Sequence, residues 1–94
     1  MRTIRAVGRY KRDYTRAKAG AHGGKLDDLL GEVIAMLAAD EPSPPRLHDH
    51  ALAGRSKDFR NCHVRPDLVL IYRKPDATTL ELVRLGSHSE LGLG

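Results

Sequence analysis

Four of the five histidines lie between His48 and His88, among strand and turn signals. The segments that hold them are His48-Asp49-His50, Cys62-His63-Val64-Arg65-Pro66-Asp67 and Arg84-Leu85-Gly86-Ser87-His88. Histidine is the side chain that exchanges protons near neutrality. An arginine can hold phosphate oxygens with its planar fork, and an aspartate can orient an imidazole. Together these residue types favour proton transfer at a phosphate, which indicates RNA chemistry.

Cleavage of RNA without a metal requires a base for the 2′-hydroxyl proton, an acid for the departing 5′-oxygen and a cation for the charged phosphorane. Histidines suit the first two roles, each worth about 10²–10⁴ in rate, and an arginine suits the third. Paired carboxylates that would hold Mg²⁺ for two-metal hydrolysis are not expected, because the aspartates are scattered over different strands. The candidate catalytic residues are His50, His63, Asp67, Arg84 and His88.

Each candidate also has an ordinary structural interpretation. A single histidine is more often a hydrogen-bonded structural residue than a catalyst, and an aspartate after a proline is most simply a turn residue. His22, which follows glycine and alanine, and His48, which lies in a loop, are expected on the surface. The case for function therefore rests on whether the side chains converge.

Zinc is the competing chemistry for the same histidines, since imidazoles are common zinc ligands. The chain has one cysteine, Cys62, and lacks the paired-ligand spacing of structural zinc sites. On a strand the Cys62 side chain would point away from His63, and a small buried side chain is its simplest interpretation. We therefore expect no metal and no other cofactor.

At 94 residues the chain has room for one small domain, residues 1–94, with a single core. Its longest apolar runs, residues 33–39 and 68–72, are far shorter than the ~20 residues that span a bilayer. The first residues lack the apolar stretch of a secretory signal, and a lone cysteine fits a reducing compartment. These features predict a cytoplasmic protein without a membrane partner.

The positive charge is concentrated near the start of the chain. Residues 1–25 hold eight Lys and Arg against one aspartate, and residues 26–45 hold five acidic residues and no basic one. Such an asymmetry suits a protein that lays one face on a polyanion, although a solvated helix face would give the same pattern. The candidate RNA-binding residues are Arg9, Lys11, Arg12, Arg16 and Lys18.

Two helices are predicted in the first 40 residues. Residues 9–19 contain strong helix formers, and glycines at 20, 23 and 24 interrupt the pattern. The apolar stripe of the second helix consists of Leu26, Leu29, Leu30, Val33, Ile34 and Leu37. Prolines at 42, 44 and 45 cannot continue it. Because the connection is short, we expect the two helices to form a hairpin.

Four strands complete the prediction. They are a short first strand at residues 3–7 and three later strands at 58–64, 68–72 and 79–85, with turns between the last three. Residues 40–57 show no periodicity and are expected to be a loop. If the last strand persists to His88, Arg84 and His88 share a face. The fold class is therefore α+β, a helical hairpin packed on a small, largely antiparallel twisted sheet.

These segments resemble the YafQ-type toxins of the RelE/ParE superfamily of type II toxin–antitoxin systems. The matching motifs are Asp49-His50-Ala51-Leu52-x-Gly54, Arg60-Asn61-Cys62-His63-Val64-Arg65-Pro66-Asp67-Leu68-Val69-Leu70-Ile71-Tyr72-Arg73 and Arg84-Leu85-Gly86-Ser87-His88-Ser89-Glu90-Leu91. The resemblance covers the chain from about residue 42 in detail and the preceding hairpin in outline. It implies a RelE-like fold and an endoribonuclease that enters the ribosomal A site and cuts the mRNA codon there.

The resemblance also implies roles for the candidate residues. His88 is the general base, Arg84 stabilises the phosphate, and Asp67 positions or shares protons. His50 and His63 assist in protonating the leaving group or in stabilising charge. The implied products are a 2′,3′-cyclic phosphate, or its opened form, and a 5′-hydroxyl.

Partners follow from the same resemblance. They are the ribosome and mRNA, with the basic first helix on ribosomal RNA, and a cognate antitoxin that wraps the toxin in a hetero-oligomer. Operator DNA would be bound only through the antitoxin. An acidic, partly disordered antitoxin segment that folds on binding would suit a small basic toxin.

Two positions depart from the family pattern. Leu68 stands where the family often has a tryptophan, and Gly92 stands where it usually has a phenylalanine. An aromatic ring near the scissile nucleotides would add stacking of about 1–3 kcal/mol per base. Its absence bears on codon preference and potency, and is compatible with a weakened toxin.

Two other functions compete with cleavage of mRNA. A gyrase-poisoning toxin of the ParE type belongs to the same superfamily but has no need of a histidine cluster. A non-catalytic module that binds RNA or the ribosome would rely on Lys and Arg alone, with the histidines incidental. Such a module would be favoured if a His88→Ala variant kept RNA binding and growth inhibition unchanged.

Overall fold

The computed structural model describes residues 1–52 and 58–92. In chain order its elements are β1 (Thr3–Ala6), α1 (Gly8–Lys18), α2 (Leu26–Ala38), a 3₁₀ turn (Pro45–Leu47), β2 (His50–Ala51), β3 (Arg60–Arg65), β4 (Leu68–Arg73), β5 (Thr79–Gly86) and α3 (His88–Leu91). The predicted α+β class is confirmed. No helix in this described part is both long and apolar enough to cross a membrane.

The five strands form one sheet in the order β1-β5-β4-β3-β2. β1 runs parallel to β5, and the other neighbouring pairs are antiparallel. Short turns after β3 and β4 allow the antiparallel pairs. The two helices carry the chain from β1 at one edge of the sheet to β2 at the other edge, and β5 then returns beside β1. The prediction of a largely antiparallel sheet is therefore confirmed.

The helical hairpin packs on one face of the sheet and buries the predicted apolar stripe. Leu26, Leu30, Val33 and Leu37 of α2 contact a layer of sheet side chains that includes Leu70 and Leu80. The connection between the helices requires glycine at position 23, where an added Cβ would lie 2.0 Å from the carbonyl oxygen of Lys18. Tyr72 is buried in the same layer, and so is Cys62, as predicted.

β1 covers only the first half of β5. Its register partners on β5 run from Thr79 to Leu82, so the backbone edge of β5 beyond that point has no neighbouring strand in the described residues. Two side chains of α1 take the place of the missing strand. The Leu85 N–H donates to Asp13 Oδ2 at 3.0 Å, and Arg16 Nη2 donates to the Leu85 carbonyl at 3.5 Å.

Three predictions of local structure differ from the fold. β3 begins at Arg60 rather than at residue 58. The expected loop at 40–57 contains the 3₁₀ turn and β2, while its last residues, including Gly54 of the motif, lie outside the described ranges. The last strand ends at Gly86, and His88 opens α3. The expectation that Arg84 and His88 share a strand face was therefore wrong, because Ser87 begins a helix.

Candidate active site

Several of the predicted catalytic side chains lie on the sheet face that points away from the helices. Two adjacent rows of cross-strand neighbours lie on this face. The first row is His50, Asn61, Ile71 and Arg84, and the second is His63, Val69 and Gly86. Cross-strand neighbours point to the same face. The residues that alternate with them, such as Cys62 and Leu70, belong to the core on the other face. His50, His63 and Arg84 therefore share one surface.

His63 lies at the centre of a group of imidazoles. Its ring centroid is 4.8 Å from that of His88, with the rings at 80°, and 5.3 Å from that of His48, with the rings at 48°. The edge-to-face contact with His88 is a favourable arrangement of two rings. The structure thus brings together His63 and His88, as predicted, and adds His48, which was expected on the loop surface.

His88 is positioned by a helix cap rather than by the strand. Ser87 Oγ accepts the Glu90 N–H at 3.1 Å, and the Glu90 carboxylate accepts the Ser87 N–H at 2.8 Å, which completes a capping box. Arg16 Nε of α1 binds Glu90 at 3.0 Å. These contacts fix the first turn of α3 and so the direction of the His88 side chain.

α3 ends at Gly92, which adopts a left-handed backbone with φ of 69°. Its N–H donates to the Ser89 carbonyl at 3.2 Å. Glycine occupies such a helix-ending position because it has no Cβ to clash. Gly92 is thus a structural cap at the position where the family usually has a phenylalanine.

His50 is held by the backbone of the preceding residues. Its Nδ1 lies 2.6 Å from the carbonyl oxygen of His48. A carbonyl oxygen can only accept, so Nδ1 must carry the hydrogen and Nε2 is left to exchange a proton. The imidazole of His50 is therefore oriented for acid–base chemistry through Nε2.

Asp49 anchors the segment between these two histidines. Its carboxylate accepts hydrogen bonds from the Tyr72 hydroxyl at 2.7 Å, from Ser43 Oγ at 2.9 Å and from Arg60 Nε at 3.0 Å. Burial raises the pKa of Tyr72 and the bond to Asp49 adds to the effect, so the hydroxyl stays a donor. The anchor ties His48 and His50 to the central strands.

We expect Asp49→Ala to lower the free energy of unfolding by about 1–3 kcal/mol, because the buried Tyr72 hydroxyl loses its acceptor. Urea denaturation followed by circular dichroism measures this. Asp58→Ala, at an exposed position, is the matched control and should leave the midpoint almost unchanged. Equal midpoints for the two variants would contradict the anchoring role.

The pKa of His63 lies below its ordinary value, mainly because burial disfavours the charged ring. Positive charge on His88, His48 and His50 adds to the lowering. His63 is therefore a neutral imidazole at neutral pH. It can accept a proton or polarise a neighbouring group, but it is a poor store of positive charge.

We expect the pKa of His63 to rise toward its ordinary value in a His88→Ala variant, because the electrostatic lowering by His88 is lost. NMR titration of the ring C–H resonances measures the change. His22 is outside the cluster and provides an internal reference. A His63 midpoint that is identical in the two proteins would contradict the electrostatic coupling of the two rings.

Arg84 is bound by a carboxylate from α1. Its Nε donates to Asp13 Oδ2 at 2.6 Å, and its Nη2 lies 3.4 Å from Oδ1. Burial alone would raise the pKa of Asp13, but hydrogen bonds from Arg84 and Leu85, with the charges of Arg84 and Arg16, bring it below its ordinary value. Asp13 is therefore ionised and fixes the guanidinium beside the histidine-bearing face.

Asp67 does accept a hydrogen bond from an imidazole, but the partner is His22. His22 Nε2 lies 2.8 Å from Asp67 Oδ1, and the pKa of Asp67 is lowered chiefly by this bond. Among the described residues Asp67 has no hydrogen bond to the clustered histidines. His22 is partly exposed, and its bond to Asp67 ties the glycine-rich connection to the β3–β4 turn.

The predicted RNA-binding residues of α1 fall into two groups. Arg9, Lys11 and Arg12 are exposed and form no ion pair within the described residues. Lys18 pairs with Asp27 at 2.8 Å, and Arg16 pairs with Asp13 and Glu90. The first three are thus available to a polyanion, whereas Arg16 is part of the framework around α3.

Within the described residues, no group of three or more His, Cys, Asp and Glu side chains is arranged to hold a metal ion. Cys62 is buried on the core side of β3, and burial raises the pKa of its thiol to about 12. A protonated thiol in the core is a poor zinc ligand.

Three functional side chains were not found by sequence reasoning. Asp13 and Asp49 had no local signal, since their partners are distant along the chain. His48 did have one, because Pro44-Pro45 is a recognisable start for a short turn that reverses direction. His48 is exposed as predicted, and it is only its contact with His63 that the sequence reasoning missed.

Comparison with known proteins agrees with the fold. Residues 2–92 match the family described as the bacterial toxin of type II toxin–antitoxin systems, YafQ. The mRNA interferase toxin YafQ of Escherichia coli K12 is 35% identical over 91 residues, 96% of this chain and 95% of that protein. A YafQ toxin of Haemophilus influenzae is 42% identical over 55 residues, and that alignment spans about half of each protein, 55% and 54%.

Two crystal structures show the same architecture. A metal-bound toxin from Helicobacter pylori has a TM-score of 0.83 and 44% identity over 97% of this chain and 99% of that one. The toxin of the Escherichia coli DinJ–YafQ toxin–antitoxin complex has a TM-score of 0.82 and 32% identity, with 96% of each chain covered.

Proposed function

The chain belongs to the YafQ family of type II toxins, and from this membership we propose that it cuts mRNA on the ribosome by acid–base chemistry. It is an endoribonuclease toxin of the mRNA interferase type, the activity by which its Escherichia coli relatives are named. The observation that carries the proposed chemistry is the contact of His63 with His88 and His48, at centroid distances of 4.8 and 5.3 Å.

The proposed reaction uses the 2′-hydroxyl of the substrate as nucleophile. His88 takes the hydroxyl proton, the 2′-oxygen attacks phosphorus, and the bond from phosphorus to the 5′-oxygen breaks. The departing oxygen receives a proton, which gives a 5′-hydroxyl and a 2′,3′-cyclic phosphate. Positioned acids and bases contribute about 10²–10⁴ each.

His50 is the candidate acid, and His63 its neutral partner. The carbonyl bond at Nδ1 of His50 fixes the direction of the ring and leaves Nε2 to deliver the proton. The lowered pKa of His63 keeps it neutral, so its part is to polarise His88 or to hold the attacking group. This division of roles is consistent with general acid–base catalysis by a pair of groups in different environments.

Arg84 supplies positive charge to the phosphorane. Asp13 binds Nε and Nη2, and Nη1 has no protein partner in the described residues. One edge of the fork is thus fixed while the other can donate to a phosphate oxygen. Asp67 acts at a distance in this proposal, by holding the β3–β4 turn next to His63 through its bond to His22.

The proposed partners are the ribosome, mRNA and an antitoxin, in the cytoplasm where these meet. Arg9, Lys11 and Arg12, exposed on α1, would contact ribosomal RNA. The likeness to the toxin of the DinJ–YafQ complex supports a hetero-oligomer with a cognate antitoxin. Operator DNA would be bound only through that antitoxin.

Primer extension on mRNA in a reconstituted translation system tests the proposal. Discrete cuts within A-site codons that require ribosomes are the expected result. Intact mRNA with translation blocked would favour a binding poison. Intact mRNA with normal translation, together with inhibited DNA supercoiling, would favour a gyrase poison of the ParE type.

A further inference from the structure

A small cavity beside His63 is lined on its polar side only by positively charged or protonatable groups. Its volume is about 230 Å³, and its lining residues are Arg46, His48, His63, Val64, Arg65 and Pro66. No carboxylate belongs to this lining. A concave surface with positive charge attracts anions, because the cleft focuses the electric field of its lining groups.

Neither arginine is neutralised inside the protein. Arg65 is exposed at the end of β3 and has no ion pair among the described residues. Arg46 lies 3.5 Å from Glu32, but the two side chains are 59% and 69% exposed. An exposed pair of this kind is worth little, so both guanidinium groups are available to a ligand.

The backbone of His48 is held in an uncommon conformation that directs its ring to this cavity. Its φ and ψ are 47° and 40°, in the left-handed region that residues other than glycine rarely adopt. The His48 N–H donates to the Pro45 carbonyl at 3.1 Å, and the neighbouring Asp49 is anchored on β3 and β4. Strain of this kind tends to persist where a side chain must be presented for function.

We propose that this cavity is a subsite for a backbone phosphate of the RNA substrate, next to the phosphate that is cut. Arginine forks match phosphate oxygens in geometry, and imidazoles add donors. RNA is favoured over an acidic protein side chain because His63 belongs both to this cavity and to the histidine cluster. The inference rests on the proposed function, since it assumes that the scissile phosphate lies at that cluster.

The test compares two uncleavable probes on the full chain. One probe is a 2′-O-methylated trinucleotide, and the other is the same trinucleotide with a terminal phosphate at the 5′ or the 3′ end. Binding of each probe is measured by NMR titration. For the wild type we expect the added phosphate at one end to tighten binding about fivefold, the ratio that corresponds to ~1 kcal/mol for an exposed ion pair.

Charge variants identify where that phosphate binds. The ratio should fall to about one in an Arg46→Gln/Arg65→Gln double variant and be largely retained in Arg65→Lys, which keeps the charge. Arg5→Gln, which removes one exposed charge on β1 at the opposite edge of the sheet, is the matched control and should keep the full ratio. A ratio near one in the wild type, or one that the double variant leaves unchanged, would overturn the subsite.

Failure of the subsite can be told from failure of the proposed function. If the wild type makes ribosome-dependent cuts but binds both probes equally, the subsite is contradicted and the proposed function is not. A large phosphate ratio in a protein that never cuts mRNA would support an anion site and remove the nuclease proposal. A ratio near one combined with weaker antitoxin binding by the double variant would assign the cavity to an acidic protein segment instead.

Discussion

Replacing His88 with alanine is expected to reduce mRNA cleavage by about 10²–10⁴, the contribution of one positioned acid or base. His88 contacts His63 edge-on and belongs to the short helix α3, outside the apolar core. The variant should therefore fold, with a denaturation midpoint close to that of the wild type. Single-turnover cleavage of mRNA on stalled ribosomes measures the rate, and circular dichroism measures the fold.

His22→Ala is the control for this experiment because it removes an imidazole that lies outside the cluster. His22 contacts Asp67 at 2.8 Å rather than His63, so the variant should lose much less activity than His88→Ala. A His88→Ala protein that is folded and cuts at the wild-type rate would remove His88 from the chemistry. Equal losses in both variants would indicate that the assay reports stability.

Replacing Asp13 with alanine is expected to have the largest effect on stability. The Asp13 side chain is 5% exposed and that of Arg84 is 23% exposed. Breaking a buried ion pair costs about 3–5 kcal/mol, and we expect about 3 because Arg84 can reach some water. Asp27→Ala removes an exposed carboxylate paired with Lys18 and should change the urea midpoint little.

Asp13→Asn removes the negative charge of the side chain but keeps its shape. The amide oxygen can still accept the Leu85 N–H, but it attracts Arg84 less strongly than a carboxylate does. We expect the variant to fold and to lose rate rather than substrate affinity, since Arg84 acts in the transition state. An Asn variant with unchanged rate would show that Asp13 supports only the fold.

Low pH should reduce the free energy of unfolding of the wild type more than that of the Asp13 variants. The pKa of Asp13 is lower in the folded chain than its ordinary value. The contribution of Asp13 to the free energy of unfolding is therefore complete at pH values above the ordinary pKa of a carboxyl group. It is lost as the pH falls through the pKa that Asp13 has in the folded chain. Urea midpoints at several pH values measure this, and Asp13→Asn should show a smaller loss between neutral and acidic pH.

Local sequence pattern predicted the regular elements well because their signals are periodic. The stripe of α2 repeats every three to four residues, and β4 is a continuous apolar run covered on both sides. α3 was missed although Ser87 and Glu90 form a recognisable capping box. The signal was short and followed directly on a strand.

The site was predictable only in part because many of its contacts join distant residues. Asp13 meets Arg84 across 71 positions of sequence, and His22 meets Asp67 across 45. No local pattern encodes such pairs, and the sheet order that creates them depends on the whole chain. Residue types near His63 and His88 nevertheless indicated the chemistry, since few side chains exchange protons near neutrality.

The left-handed cap at Gly92 limits how this chain can change in evolution. An aromatic residue at that position would need a positive φ, which side chains with a Cβ rarely adopt. A single substitution to phenylalanine would thus gain a ring and lose the end of α3. An aromatic side chain at this position therefore requires a different backbone conformation at the end of α3.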